Sequence, residues 1–304
     1  MKLGLMTAAL PDLSLEEIAI WAGQSGFETL EIACWPQSKA TRRYAGVTHI
    51  DVETLDDMRA AAVRELMARH QLQISSLAYY PNPLHADESH RAMVIGHLKR
   101  VIVAASKLGV EVVGTFAGRD QTLPMEANLE RFAQIWPEIV HFAGDHNVAI
   151  AIENCPMLFS GDEWPGGQNL AISPHVWRRL FEIIPDQNFG LNLDPSHLIW
   201  QFIDAERVVR EFKDRLLHVH AKDLEINREG LFQHGILSLG MGWQTPRLPG
   251  LGEVNWPRFI AALYSVGYDK FISIEHEDRA FEGEEGLVKR GFYIARDVLR
   301  PLIH

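Results

Sequence analysis

Short apolar runs alternate with longer segments of helical period along the whole chain, strand pattern then helix pattern, eight times over. The runs at residues 2–9, 29–35, 73–81, 110–117, 148–154, 189–194, 216–222 and 270–275 are rich in Val, Ile, Leu and Phe. They lack strict alternation, as expected of parallel strands covered on both faces. Between them the apolar spacing is helical. Ser14 and Glu17 form a capping box ahead of Ile18, Ala19 and Trp21, and Gly26 stands where that helix should stop. Residues 51–70 place Leu55, Met58, Ala62 and Leu66 at helical spacing, and residues 90–108 and 126–142 repeat the pattern. Ser173-Pro174 and Asn255-Trp256-Pro257 have the form of an N-cap followed by an early proline. No Pro/Ser/Gly linker or low-complexity block divides the series, so residues 1–304 read as one domain. The pattern predicts an α/β fold, a single (β/α)8 TIM barrel with long βα loops at 36–50, 155–172 and 224–252. An open doubly wound sheet would carry a Gly-rich phosphate turn after an early strand, and none is present.

Charge narrows the partners. Lys and Arg number 29 against 40 Asp and Glu, a net charge of −11 that opposes binding to a phosphate backbone. The two cysteines, Cys34 and Cys155, make neither a disulfide framework nor a Cys-based zinc site, and they predict a cytoplasmic protein. No stretch reaches the ~18 apolar residues of a membrane span, and the apolar start is read as a buried strand rather than a signal peptide.

The candidate chemistry lies at the carboxyl ends of the last four strands, where a barrel holds its active site. Glu153, Asp194, His220 and Glu275 each close one of these runs, so their side chains can converge above the barrel mouth. Three carboxylates so crowded would repel one another without a cation. With one imidazole they form an oxygen-rich set suited to Mn2+, Mg2+, Co2+ or Zn2+. His197 follows Asp194 by three residues and is placed to face the same cavity, while Lys222 shares a strand face with His220 and is placed to meet a substrate oxygen. His218, on the same parity, reads as a hydrogen-bonded core histidine one layer deeper. Among aromatic residues of the long loops, Trp35, Tyr44, Trp164 and Trp243 are either walls for a sugar or aglycone or packing anchors. Arg247 is the leading anion candidate; Arg42-Arg43 and Arg178-Arg179 read as solvated faces.

Several segments together resemble the sugar phosphate isomerase/epimerase family, within the xylose-isomerase-like TIM-barrel superfamily. They are Glu153-Asn154, Asp194-Pro195-Ser196-His197, the run from His218 to Asp223, the run from Pro249 to Trp256, and Ile274-Glu275-His276-Glu277-Asp278. Glu31 near the end of the second strand extends the likeness over nearly the whole chain. The resemblance implies that Glu153, Asp194, His220 and Glu275 are metal ligands, manganese being the leading ion. It also implies that Glu153 and Glu275 are the acid/base pair acting on opposite faces of a keto-sugar, that His197 contacts a substrate oxygen, and that the protein is a homo-oligomer. Keto-sugar epimerases of this superfamily carry Gly-Glu and a downstream Arg after the metal histidine. Here Ala221-Lys222-Asp223 stands instead, so their substrate contacts do not carry across.

The expected function is a divalent-metal-dependent isomerase or epimerase of a sugar or keto-sugar in carbohydrate metabolism, working through a metal-stabilised enediolate. The rival is a lyase of 3-oxo-glycosides, in which the same proton abstraction is followed by β-elimination; such a lyase would admit a small partner subunit. Apurinic endonucleases share the barrel but need extra histidines on strands three and four and an Asp-x-His after strand seven. Here strand three ends in Tyr79-Tyr80, strand four in Thr115-Phe116, and no Asp-x-His follows His220. A non-enzymatic binding protein would hold its ligand without exchanging solvent deuterium into it.

Overall fold

The computed structural model describes residues 1–37, 44–157, 167–236 and 242–303. Eight parallel strands close into a barrel: β1 (Lys2–Met6), β2 (Thr29–Ala33), β3 (Gln73–Ala78), β4 (Val112–Thr115), β5 (Ala149–Glu153), β6 (Phe189–Leu193), β7 (Leu216–Ala221) and β10 (Phe271–Ile274). Closure comes from β10, which pairs with β7 on one side and with β1 on the other. Two further strands, β8 (Asp223–Ile226) and β9 (Gln244–Arg247), form a separate antiparallel hairpin beyond the seventh barrel strand.

Each barrel strand ends one to three residues before the apolar run does. At this rim side chains take over from the ladder. Asn154 Oδ1 accepts from Asp194 N at 2.7 Å and its Nδ2 donates to Asp194 O at 2.9 Å, extending the β5–β6 pairing by one step through an amide side chain.

Helices α1 (Leu15–Gln24), α2 (Asp57–Arg69), α3 (Glu88–Leu108), α4 (Met125–Asp145), α5 (Pro174–Ile183), α7 (Ala205–Glu211), α9 (Trp256–Ser265) and α10 (Glu285–Leu299) follow the eight barrel strands. Short helices α6 (Ser196–Ile199) and α8 (Arg228–His234) lie in the βα loops. The capping box forms as predicted, Glu17 N donating to Ser14 Oγ and Ser14 N to Glu17 Oε2. Helix α2 starts later than its apolar spacing predicts. Asp51 accepts from Glu53 N and Thr54 Oγ1 in a local turn, and Asp56 caps the helix through Arg59 N. Ser173 makes no side-chain cap bond, so Pro174 alone marks the start of α5.

Between strands and helices lies the main core, in which Trp136, Trp177, Phe132, Phe189, Phe259 and Phe292 are buried. Inside the barrel, Ala149 and Ala151 share the parity of Glu153 and pack with Val112 and Leu217 in a small separate cluster. The hairpin has its own core of Trp200, Leu224, Ile226 and Trp243. Asp223 anchors it: this buried carboxylate accepts from Leu224 N, Gly250 N, Val254 N and Trp256 Nε1 at 2.8–3.0 Å. A Cβ at Gly252 would collide with Asp223 Oδ1, which explains a glycine in the Pro249–Trp256 run.

Candidate metal centre

The rim residues of β5, β6, β7 and β10 meet at one point. Glu153, Asp194, His220 and Glu275 each offer a ligand atom, all four within 4.8 Å of one another and all buried. His220 Nδ1 lies 3.5 Å from both Glu153 Oε1 and Glu275 Oε2. Glu153 Oε1 and His220 Nδ1 are buried without a hydrogen bond, and the buried Asp194 Oδ2 has the Lys222 ammonium at 3.0 Å. Unsatisfied donor atoms of this kind aimed at a common point fit a divalent cation.

Behind His220 stands a layer that the strand-end pattern assigns no role. Its Nε2 donates to Glu31 Oε2 at 2.8 Å, which leaves Nδ1 as the atom facing the cluster. Tyr80 OH donates to Glu31 Oε1 at 2.7 Å and accepts from Asn192 Nδ2 at 2.8 Å, while His218 Nδ1 donates to Asn192 Oδ1 at 3.0 Å. His218 is thus the deeper hydrogen-bonded histidine the parity predicts. Burial opposes a charge on Glu31, but His220, His218 and the hydrogen bonds from His220 and Tyr80 outweigh it and hold the carboxyl at about 2. Gly114 makes room for this network, since a Cβ there would strike the Tyr80 hydroxyl. The one sequence signal was Glu31 itself, a carboxylate in the middle of a largely apolar strand.

Lys222 answers the carboxylates from the other side. Its buried Nζ lies 2.6 Å from Glu275 Oε2, 3.0 Å from Asp194 Oδ2 and 3.1 Å from Glu277 Oε2. Burial works against its charge, but Asp194, Glu275, Glu277 and Glu153 raise it well above the usual lysine range. Asp194 is pushed up by burial, helped by Glu275 and Glu153 and opposed by Lys222 and His197. His197, on α6, brings Nε2 to 3.4 Å from Asp194 Oδ2 and 3.6 Å from Glu153 Oε1.

A small cavity lined by Glu153 and Glu275 shares Trp35, Cys155, Lys222 and Glu277 with a larger one of about 1390 Å³, which is also lined by Tyr79, Met93, Met157, His197, Trp200 and Pro246, among others. Trp35, His197 and Lys222 therefore face the expected space. Arg247 does not line it: its guanidinium is held by Glu225 at 2.5 Å and Asp278 at 3.3 Å. Trp243 packs against Trp200, ring centroids 5.7 Å apart, as an anchor of the hairpin. Arg178 and Arg179 pair with Glu211 and Glu126 on the surface. Arg42, Arg43 and Trp164 lie outside the described residues. Among the described residues, no helix is long and apolar enough to cross a membrane.

A family model described as xylose isomerase-like TIM barrel matches residues 20–296. The uncharacterized protein YfiH of Bacillus subtilis strain 168 is 25% identical over 313 residues, covering 94% of this chain and 96% of its own. D-psicose 3-epimerase of Clostridium cellulolyticum H10, solved with D-tagatose, superposes with a TM-score of 0.73 at 16% identity over 100% of both chains. The IOLI protein, solved with a bound zinc atom, superposes with a TM-score of 0.73 at 18% identity over 100% of this chain and 99% of that one.

Proposed function

The chain belongs to the xylose isomerase-like TIM barrel family, and from that premise we propose that it is a divalent-metal-dependent isomerase or epimerase of a keto-sugar. The observation that carries the reading is the convergence of Glu153, Asp194, His220 and Glu275 on one buried point at the barrel rim. These four would hold the ion, with manganese as the leading candidate. When bound, such an ion supplies Lewis-acid polarisation of a carbonyl and its neighbouring hydroxyl.

The rest is the work of side chains. Glu153 and Glu275 approach the site from different strands, so one can take a proton from the carbon beside the carbonyl while the other returns one from the opposite face. Return to the same carbon gives epimerisation, and return to the neighbouring carbon gives isomerisation. Lys222 donates to Glu275 Oε2, which fixes that carboxylate and holds it in its basic form. His197 and Trp35 line the approach and orient the sugar. The sugar acted on by the epimerase neighbour supports a keto-sugar substrate. Net charge and cysteine usage support a cytoplasmic protein that does not bind nucleic acid.

One observation favours a larger substrate. Trp35, Tyr79, Met93 and Met157 give the larger cavity apolar walls, which suit an aglycone beside the sugar. A 3-oxo-glycoside would fill it better than a free sugar, with β-elimination of the aglycone following the same proton abstraction.

The test is solvent-deuterium uptake followed by NMR on keto-sugars and 3-oxo-glucosides. Metal-dependent uptake into carbon-bound positions, lost in Glu153→Gln and Glu275→Gln, is the expected outcome. A rearranged sugar identifies the isomerase or epimerase, and a released aglycone the lyase. Ligand binding without exchange in the metal-loaded protein overturns both.

A further inference from the structure

We propose that Cys155, His197 and Glu153 form a second cation position beside the four-ligand cluster, one that takes a thiophilic divalent ion such as Zn2+ and shares Glu153 with the first. The proposal rests on the metal reading above and adds a site to it. Each of the three residues offers one ligand atom within 4.8 Å of the other two. His197 and Glu153 are more than nine-tenths buried, and His197 Nε2 and Glu153 Oε1 lie 3.6 Å apart with neither making a hydrogen bond.

The thiol is positioned for the role. Met157, in a left-handed turn at φ 56°, donates its backbone N–H to Cys155 Sγ at 3.4 Å. An N–H aimed at sulfur is the outer-layer contact that steadies a thiolate ligand. The buried Asn169 amide donates to both Glu153 O and Cys155 O, at 2.9 and 2.7 Å, and so fixes the backbone that carries two of the three ligands. His197 is set by the adjoining turn, in which Asp194 Oδ1 accepts from Ser196 N at 2.8 Å and Gln201 Nε2 donates to His197 O at 2.7 Å.

The second position draws its ion on the side opposite in character to the first: sulfur and imidazole favour Zn2+ and Co2+, whereas the carboxylate-rich position also accepts Mn2+ and Mg2+. Cys34 cannot supply the sulfur, because it is fully buried and its S–H donates to Ile32 O.

The test is Co2+ loading of the metal-stripped full-length protein, with bound equivalents counted by elemental analysis and the thiolate-to-cobalt charge-transfer band read in the near ultraviolet. Two equivalents with the band are expected for the wild type. Cys155→Ser should retain one equivalent and lose the band. His197→Gln, which leaves the thiol and the four ligands of the first position in place, should also fall to one. One equivalent without the band in the wild type overturns this proposal and leaves the proposed function standing, as do two equivalents in Cys155→Ser. One equivalent that carries the band overturns both readings, because the ion would then sit at sulfur in preference to the four-ligand cluster.

Discussion

Glu31 and Lys222 act on the same four ligands with opposite sign. Glu31 accepts from His220 Nε2 and keeps Nδ1 directed at the cluster, so Glu31→Gln should lower divalent-metal affinity about 10–100-fold, measured by chelator competition. Lys222 spends its charge on Glu275 and Asp194, two of the ligands an ion would use. Its contacts are therefore stronger in the metal-free protein than in the loaded one. By linkage Lys222→Met should bind the ion more tightly than the wild type, while its metal-free form melts at a lower temperature. A Lys222 that only touched substrate would change neither quantity. The four residues that converge at the rim were legible in the sequence because charged residues interrupt apolar runs at matching strand ends. Asn192, Tyr80 and Asn169 were not, since uncharged polar residues at strand ends and in loops are common for many reasons and only their contacts give them a role.

At the scale of elements, the barrel strands position the four converging residues, and the hairpin lines the larger cavity through Leu224, Gln244, Thr245 and Pro246. The hairpin depends on Asp223, which accepts three backbone N–H groups and one indole N–H. Asp223→Ala would leave these donors unpaired. A cost of about 3 kcal/mol or more is expected from the loss of several hydrogen bonds to a charged group, read from urea unfolding. The loss should be accompanied by early proteolytic cleavage in the hairpin if the segment opens before the barrel. The hairpin was invisible to pattern reading. β9 is Gln-Thr-Pro-Arg, with no apolar alternation and a proline tolerated only at an edge, so its strand character comes from pairing with β8. The late start of α2 has a similar origin, because Val52 and Leu55 are buried by a turn that continues the apolar spacing of the helix behind it.

For the whole molecule, buried neutral histidines set an acid limit. His97, on α3, donates Nε2–H to Cys34 O at 2.8 Å and packs on the Tyr79 ring. Burial lowers its pKa from 6.5, the Cys34 contact opposes this, Arg100 adds to it, and Glu53 and Asp51 oppose it. The folded state thus resists protonation that the unfolded state accepts. Stability from this residue is complete above about pH 6.5 and falls as the pH drops below it. His49, also lowered by burial, has the same sign. Thermal melts between pH 7 and 5 should show this slope, and His97→Gln, which keeps an N–H donor, should flatten part of it. A slope identical in the variant would remove His97 from the account.

The periodicity of apolar runs determined the eightfold strand–helix order and hence the barrel, because parallel strands buried on both faces and amphipathic helices leave few other closed arrangements. It also determined which charged side chains stand at the rim. The tertiary structure decided what those residues do to one another: that His220 presents Nδ1, that Lys222 pairs with Glu275 and Asp194, that Arg247 is spent on Glu225 and Asp278, and that Cys155 lies beside His197. These are contacts between residues dozens to hundreds of positions apart. Local propensity carries no information about them, and they exist only once the barrel has closed.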